Sequence, residues 1–454
     1  MKFIDNGNYT KVVDYTVEEI LRLKEMLTIK ADARFFSKAY QQGYWDGNYR
    51  FLDTRKQTFP SGLLKLIKKK YPGIVVEDHT PTLPIDGDYQ NKLSVTLRDY
   101  QIEAIEACLA NSRGLIEMPT GSGKTVVMAG LCAAYRARIL VIVPTKALMF
   151  QTGKSISNAI KEPVGFIGSG RMNIERVTVG IIKSVWNNVS DLIKDFDIII
   201  LDEAHHASAE TFYESLLNFP THYKYGFSAD SLDFHEVKQE SALKRIRVIG
   251  CLGPFIYRVG NTRLQEADVL AHADIKFLKV DAILDPDLNS DELHDLGYET
   301  SYCKFHCENE KLHDKIKTLC EKHKDESILI ITKHLHHGEK LAKIIEQPNY
   351  FLSGELDGEI INTRIKEFNN NKFNILIGSP IFNEGVDLPQ VDILINAAGD
   401  VAATKQRVGR GLRKKTGKEN KVLVYDFFIE GNRHIERHSR KRKKILISEG
   451  HTIL

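Results

Sequence analysis

The sequence predicts an α/β protein with two tandem parallel-sheet domains, preceded by a small α+β N-terminal domain. From Leu93 onwards, short apolar runs alternate with longer helical patterns, as is typical of parallel sheets with helices on both faces. The alternation blurs around residues 231–273, and a second series follows. The 454 residues suffice for about three domains of ~150 residues each. The predicted domains are residues 1–90, residues 91–270, and residues 271–454 with a basic C-terminal tail.

The strand-like runs carry the parallel-sheet prediction. Those of the first series are GLIEM, RILVIVP, VTVGII and FDIIILDE, and those of the second are DIKFLKV, SILIITK, YFLSG, NILIGSP, VDILINAAG and VLVYDFF. Helical patterns separate these runs, as parallel connections require.

The N-terminal residues follow a different pattern. They contain two helical segments, Thr16–Leu27 and Leu63–Tyr71. The first begins with a capping box, because Glu19 follows Thr16 by three residues. Residues 77–92 contain prolines and little periodicity, and they are typical of a linker.

Composition excludes several classes of protein. The chain is 42% apolar and 27% charged, as in ordinary globular proteins. Its longest apolar runs, such as Ile139–Val143, fall far below the ~20 residues of a membrane span. The N-terminus lacks the apolar core of a secretory signal, and six dispersed cysteines fit a reducing compartment. We therefore expect a cytoplasmic protein with no membrane partner.

Basic residues are concentrated in two places. Four lysines lie between Lys65 and Lys70, and residues 433–444 contain seven Lys or Arg against one Glu. Such runs suit contact with phosphate, although each could equally be a solvated helix face. In a eukaryote, the RKRKK run could also be a nuclear import signal.

The strongest motif is the run MPTGSGKT, which ends at Thr125 between a predicted strand and a predicted helix. Glycines there allow backbone N–H groups to approach phosphate oxygens, Lys124 would reach the β- and γ-phosphates, and Thr125 would bind Mg²⁺. Met118 replaces the usual leading glycine. The predicted ATP-binding residues of this loop are Pro119, Thr120, Gly121, Ser122, Gly123, Lys124 and Thr125.

Two carboxylates follow the apolar run FDIIIL. Asp202 would hold Mg²⁺, and Glu203 would orient and deprotonate the attacking water. A surface Asp-Glu pair opening a helix would explain the two residues alone, but not their combination with a phosphate loop. The combination predicts an ATP hydrolase that uses Mg²⁺.

The tetrad DEAH, from Asp202 to His205, resembles motif II of the superfamily 2 DEAH-type DNA helicases. LRDYQ, VPTKAL, VGIIKS, the strand before Lys333, GSPIFNEGVDLP and QRVGRGLR resemble further motifs of that family in the family's order. The resemblance implies two RecA-like motor domains, with arginine fingers that cross from the second to the ATP site of the first. The residues it implies are Gln101, Gly385 and Asp387 for ATP, Pro144, Thr145, Lys146, Ser184, Lys333 and Ser379 for DNA, and Gln406, Arg410 and Arg413 for catalysis with Lys124 and Glu203.

The N-terminal runs RFFSKAYQQGYWDGNYRFLD and PSGLLKLIKKK resemble the accessory domain of phage UvsW-type helicases. That resemblance implies a DNA partner that is branched, such as a fork or four-way junction, and a role in replication, recombination or repair in the host bacterial cytoplasm. We assign DNA contact to Arg50, Lys68 and Lys69, with Arg55 as a further candidate. No obligate protein partner is expected.

The aromatic stretch around Trp45 permits two interpretations, a stacking platform for nucleic acid or the core of a small domain. Asp46-Gly47 is typical of a tight hairpin turn. Because large aromatic side chains usually bury most of their surface, we favour a core position for Trp45.

Two further features depart from simple expectations. Motif III of the family is usually Ser-Ala-Thr, but the chain has Asp230 at the third position, which puts the coupling of ATP state to strand separation in question.

Cysteines and histidines cluster between Cys303 and His323. Tight CxxC pairs are absent there, so we favour helix packing over a zinc site.

Alternative functions remain open at this stage. An RNA helicase and a duplex DNA translocase that does not unwind would share the motor motifs, because these contact phosphate and sugar without reading bases. A non-catalytic, nucleotide-gated binding module is disfavoured by Lys124, Glu203 and Arg410.

Overall fold

The computed structural model describes the chain except residues 32–33, 193, 230–238, 284, 286, 357, 379–390, 400, 402–420 and 449, and it describes only the backbone of residues 239–241, 272, 358–359 and 362. The chain divides into two compact units, Met1–Met118 with Gly123–Val259 and Pro119–Ser122 with Gly260–Leu454. The first unit contains both the predicted N-terminal domain and most of the predicted first motor domain. Among the described residues, no helix combines the length and apolar character needed to cross a membrane.

The first unit consists of strands and helices in alternation. Its strands are β1 (Lys2–Asp5), β2 (Tyr9–Val13), β3 (Thr28–Lys30), β4 (Asn48–Arg50), β5 (Thr58–Pro60), β6 (Val75–Asp78), β7 (Arg113–Glu117), β8 (Ile139–Val143), β9 (Val164–Gly168), β10 (Arg171–Asn173), β11 (Val177–Ile181), β12 (Ile198–Leu201), β13 (Tyr223–Ser228) and β14 (Phe255–Arg258). Its helices are α1 (Val17–Met26), α2 (Lys38–Gln41), α3 (Leu64–Lys70), α4 (Tyr89–Lys92), α5 (Asp99–Leu109), α6 (Lys124–Ala134), α7 (Lys146–Ile160), α8 (Ile182–Asn187), α9 (Val189–Leu192), α10 (Glu210–Asn218) and α11 (Gln239–Leu252).

The second unit repeats the α/β pattern. Its strands are β15 (His272–Val280), β16 (Ile328–Ile331), β17 (Asn349–Leu352), β18 (Ile375–Gly378), β19 (Ile393–Asn396), β20 (Lys421–Ile429) and β21 (Thr452–Ile453). Its helices are α12 (Asn261–Glu266), α13 (Ser290–Asp295), α14 (Tyr298–Tyr302), α15 (Glu310–Lys322), α16 (Leu335–Ile344), α17 (Gly358–Asn369) and α18 (Arg433–Ser448).

Both units contain a large parallel sheet, which confirms the predicted fold class. The first has the order β10-β9-β11-β8-β12-β13-β7-β14, in which only the edge strand β10 is antiparallel to its neighbour. The second has the order β17-β18-β16-β19-β20-β15-β21, and its described pairs are parallel. The N-terminal residues form a separate four-stranded sheet, β5-β2-β1-β6, and the antiparallel pair β3-β4.

The N-terminal sheet and the first parallel sheet share one hydrophobic core. Buried side chains of the N-terminal residues, such as Phe3, Phe59 and Ile67, belong to the same cluster as Ile199 and Ile249 of the parallel-sheet layer. Helix α11 packs directly on the turn at Ser61–Leu63, and a Cβ added at Gly62 would overlap the carbonyl oxygen of Ile249. Burial of these side chains stabilises the association of the two sheets, because separating them would expose apolar surface to water.

Two basic side chains of the parallel sheet are buried near N-terminal residues. The Lys224 side chain is fully buried in β13, where its Nζ donates to Asn8 Oδ1 at 2.6 Å and to the Leu216 carbonyl at 2.7 Å. Burial lowers the pKa of Lys224 to about 7. Arg113, at the start of β7, is buried as well; desolvation lowers its pKa, and the nearby charge of Asp5 opposes that effect.

In the second unit, α18 covers the parallel sheet through a buried ion pair. Arg442 is 0% exposed, and its guanidinium donates to Asp426 Oδ1 at 2.9 Å and to the Phe427 carbonyl at 2.8 Å. One member of the C-terminal basic run is therefore structural. The neighbouring Arg437, Arg440 and Lys444 are exposed.

The aromatic stretch differs from the prediction. Residues 44–47 form no strand, so the prediction of a tight hairpin at Asp46-Gly47 is wrong. Instead, β4 pairs with β3, which precedes it by 17 intervening residues, 31–47. Trp45 is only partly buried and is not one of the core side chains, whereas Phe51 and Leu52 are. The capping box of Thr16 and Glu19 is confirmed at the start of α1.

We predict that Gly62→Ala lowers the free energy of unfolding of the first unit by about 1–3 kcal/mol, because the backbone of Ile249 cannot move aside cheaply. Urea unfolding followed by tryptophan fluorescence measures this, since Trp45 and Trp186 both lie in the first unit. Gly73→Ala is the matched control, as an added Cβ there meets nothing within 4 Å. Equal unfolding curves for the two variants would show that the contact of Gly62 with α11 is not tight.

Candidate functional site

The predicted site residues of the first unit lie along one edge of its parallel sheet. Registers between neighbouring strands, such as Ser228 with Glu117 and Leu201 with Gly226, bring the carboxyl ends of β7, β12 and β13 side by side. The carboxyl ends of β8 and β11 continue the same edge, with Ile181 opposite Val143. Ligands of open α/β sheets bind outside the carboxyl ends of the strands.

The loop between β7 and α6 has the backbone of a phosphate-binding loop. Gly121 and Gly123 have φ values of 83° and 85°, which residues with side chains rarely adopt. An ideal Cβ at Gly123 would lie 2.5 Å from Nε2 of Gln101, so the buried Gln101 amide rests on this glycine. Sequence spacing gave no sign of that contact, because the two residues belong to separate elements.

The other loop residues differ in exposure. Ser122 is buried, Pro119 and Thr120 are partly exposed, and Gly121 is exposed. Lys124 and Thr125, in the first turn of α6, are partly exposed, and Lys124 Nζ donates to the carbonyl of Met118 at 3.3 Å. The N-terminal N–H groups of α6 thus face the loop, where anions bind favourably.

The two carboxylates follow β12 as predicted. Asp202 is 8% exposed, and its Oδ1 accepts the backbone N–H of Glu203 at 3.0 Å. Glu203 has a left-handed backbone with φ 52°, and its Oε2 lies 3.5 Å from Nδ1 of His205. The left-handed backbone conformation of a glutamate costs about 1–3 kcal/mol, and residues strained in this way are concentrated at functional sites.

The first residue of motif III, Ser228, lies next to the residue that precedes the phosphate loop. The Ser228 carbonyl accepts the N–H of Met118 at 3.0 Å, which links the end of β13 to the strand before the phosphate loop. Ser228 is 1% exposed. Asp230 lies outside the described residues.

These residues fit ATP and Mg²⁺. The left-handed glycines leave the loop amides accessible to phosphate oxygens, as a loop lined with side chains would not. Lys124 provides a positive charge at the helix start, and Thr125 and Asp202 provide the oxygen ligands that Mg²⁺ prefers. Among the described residues, no group of three or more His, Cys, Asp or Glu side chains could hold a metal ion, so any bound Mg²⁺ would need phosphate and water ligands too.

Four of the residues predicted to contact DNA occupy the other half of this edge. Pro144 and Thr145 follow β8, and the Thr145 hydroxyl caps α7 by accepting the N–H of Leu148 at 3.3 Å. Lys146 is exposed, and Ser184 is partly exposed in α8, next to the end of β11. The structure therefore brings these four residues to the strand ends next to the carboxylates.

Fewer predicted residues of the second unit are described. Lys333 follows β16, but its Nζ lies over the rings of Tyr302 and Tyr298, at 4.6 and 4.8 Å, and 3.6 Å from Glu299. Its charge is thus partly compensated within the unit. The predicted residues Ser379, Gly385, Asp387, Gln406, Arg410 and Arg413 lie outside the described residues.

The N-terminal basic residues differ in their contacts. Lys68 and Lys69 are exposed in the last turn of α3, while Leu64 and Ile67 of that helix are buried. Arg50 pairs with Asp46 through two hydrogen bonds. Arg50 is therefore the weaker candidate for phosphate contact.

The predicted Cys/His cluster is mainly part of a helical core. Residues Cys303–Cys307 form a π-helical turn, and His306 is 1% exposed, with its ring 4.7 Å from that of Tyr302. Burial holds the pKa of His306 well below its usual value and lowers that of His313 to about 4.

Comparison with protein families matches both halves of the chain. A model described as "Type III restriction enzyme, res subunit" matches residues 94–230, and one described as "Helicase conserved C-terminal domain" matches residues 310–415. Together the two models span more than half of the chain.

Individual proteins match over most of their length. The chain is 25% identical to the "DNA 3'-5' translocase XPB2" of Sulfurisphaera tokodaii over 78% of this chain and 86% of that protein. It is also 25% identical to the "ATP-dependent DNA helicase uvsW" of Enterobacteria phage T4, over 89% and 86%. The structure of S. cerevisiae Dbp5 bound to RNA and ADP BeF3 has a TM-score of 0.54 at 15% identity, covering 81% of this chain and 92% of that one.

The Dbp5 match supports the RecA-like fold of the two parallel sheets, and the family models cover the phosphate loop, the DEAH tetrad and residues 310–415 of the second unit. The chain belongs to the superfamily 2 helicases and, among them, resembles the UvsW-type members.

Proposed function

We propose that this chain is an ATP-dependent DNA helicase or translocase that acts on branched DNA, such as forks and four-way junctions. The observation that carries the proposal is the position of the N-terminal module, which we define as residues 1–78. Its exposed lysines belong to the same compact unit, and its apolar side chains to the same core, as β7 and β12, two strands that end at the ATP edge. DNA held by that module would lie in a fixed position relative to these strands of the first parallel sheet.

We assign each residue of the ATP edge a role in binding or hydrolysing ATP. Gln101 positions the adenine, while Lys124 and the loop amides bind phosphate. Thr125 and Asp202 hold Mg²⁺, which when bound neutralises charge on the phosphates. Glu203 orients water and accepts its proton, and its strained backbone fixes the carboxylate at the end of β12.

The remaining catalytic assignments are part of the same proposal. Gln406, Arg410 and Arg413 act as the second half of the ATP site, with Gly385 and Asp387 also contacting nucleotide. Two half-sites on separate domains would make domain closure depend on ATP. Pro144, Thr145, Lys146, Ser184, Lys333 and Ser379 contact one DNA strand through phosphate and sugar.

An RNA helicase and a duplex DNA translocase that does not unwind are the alternatives, since the motor contacts read no base. Direct comparison of unwinding on a fork, a four-way junction, a tailed duplex and an RNA duplex separates them. Preference for the RNA duplex would contradict the proposal, and so would translocation without unwinding of any branched DNA.

We predict that Lys124→Ala and Glu203→Gln each lower the turnover of ATP at least about 100-fold, because each removes a group that acts on the reacting phosphate or water. DNA-stimulated phosphate release measures this. Lys154→Ala, which removes an exposed lysine from α7, is the control and should retain wild-type turnover. Substantial hydrolysis by Glu203→Gln would contradict the assignment of the base.

We predict that the double variant Lys68→Glu and Lys69→Glu weakens fork binding and reduces the slope of log K against log salt by about 2, because each lysine that binds a phosphate displaces about one counterion from the DNA. Basal ATP turnover should stay unchanged, because α3 lies outside the ATP edge. The double variant Lys315→Glu with Lys322→Glu, at two exposed positions of α15, is the charge-matched control. An unchanged slope would show that α3 does not contact DNA.

A further inference from the structure

A loop at the end of the β3-β4 pair presents aromatic side chains to solvent. Residues 31–47 connect the two strands, which pair antiparallel with Ile29 opposite Tyr49. Both of these side chains pack against the core of the first unit. The base of the loop is therefore anchored to the same core as the motor strands.

An inner layer of contacts gives the described part of the loop, residues 34–47, a defined shape. Gly47 has φ 79°, and an added Cβ would meet the side chains of Arg34 and Tyr40. The Trp45 indole donates to the Asn48 carbonyl at 3.0 Å, and its ring lies 5.1 Å from that of Tyr49. These contacts use Tyr40, Trp45 and Tyr49 as internal supports.

An outer layer points into solvent. Phe36 is 87% exposed and Tyr44 is 84% exposed, which are the highest values among the large exposed hydrophobic side chains of the described residues. Phe35 beside them is 56% exposed. Single exposed apolar residues are ordinary, but three exposed aromatic rings on one anchored loop present apolar area to water that a flat partner would cover.

The charges around these rings favour a nucleic acid over an apolar protein partner. Lys38 is exposed on α2 between Phe36 and Tyr44, and the Arg34 guanidinium lies 4.3 Å from the centre of the Phe35 ring. The acidic Asp46 is already paired with Arg50. The Asp53 carboxylate accepts hydrogen bonds from the backbone N–H groups of Arg55 and Lys56.

We propose that Phe36 and Tyr44 stack on unpaired bases of the DNA at a branch point, with Lys38 contacting the adjoining phosphate. This inference rests on the proposed action on branched DNA and names the part of the branch that is recognised. Paired bases inside a duplex cover their faces with their neighbours, so exposed rings on a protein stack at the lowest energetic cost where bases are already unpaired. Exposed aromatic rings beside basic side chains are the usual surface for single strands.

The test compares two forks bound by the full chain in the absence of nucleotide. One fork has normal unpaired arms, and the other has abasic sites at the first unpaired positions. We expect the wild type to bind the normal fork at least about tenfold more tightly, and the double variant Phe36→Ala and Tyr44→Ala to lose that preference. Affinity for the abasic fork should stay unchanged in the variant.

Two control variants separate stacking from folding. Phe36→Tyr with Tyr44→Phe keeps both rings and should keep the preference. Leu21→Ala removes an exposed apolar side chain of α1 that is 57% exposed and should also keep it. A double alanine variant that retains the tenfold preference would overturn the inference, as would loss of the preference in Leu21→Ala.

The outcomes also separate this inference from the proposed function. Wild-type protein that binds both forks equally, yet more tightly than duplex DNA, would refute base stacking and leave action on branched DNA in place. Wild-type protein that binds no DNA would refute both.

Discussion

The packing of helix α11 on the turn at Ser61–Leu63 is the contact on which the arrangement of the first unit depends. Gly62 allows two backbones to meet where a methyl group has no room. Around this contact, Phe3, Phe59 and Ile67 join the core of the parallel sheet. A module held in this way moves with the sheet, because separating them would expose apolar side chains to water.

Two strands of the first parallel sheet connect the N-terminal module to the ATP edge. Lys224 and Arg113, which border the N-terminal module, lie on β13 and β7, and the carboxyl ends of the same strands bear Ser228 and the phosphate loop. The first parallel sheet thus connects the proposed DNA surfaces of α3 and the β3-β4 loop to the residues proposed to bind ATP. The strained backbone of Glu203 persists because β12 beneath it is buried on both faces.

Local patterns predicted much of this structure, and long-range contacts account for what they missed. Apolar runs that alternate with helical patterns predicted the parallel sheets, because strands of such sheets are buried on both faces and are joined by helical crossover connections. The Asp46-Gly47 pair predicted a hairpin between adjacent strands. In the structure β4 pairs with β3 across the loop of residues 31–47. A dipeptide cannot indicate a pairing partner that is distant in the sequence. The sequence shows Arg442 only as one residue of a basic run. Its ion pair with Asp426 could not be predicted, because Asp426 lies on another element. The contact of Gln101 with Gly123 could not be predicted for the same reason, whereas the positions of the phosphate loop after β7 and of Asp202 and Glu203 after β12 were predicted from the apolar runs that precede them.

Native-state hydrogen exchange of the full chain tests the central claim, that the N-terminal module and the first parallel sheet form one cooperative structure. We expect amides of β1 and β2 to have opening free energies within about 1 kcal/mol of those of β12 and β13, because the two sheets share a core and open together. Amides of β1 and β2 that exchange through openings several kcal/mol cheaper, while β12 and β13 remain protected, would contradict it.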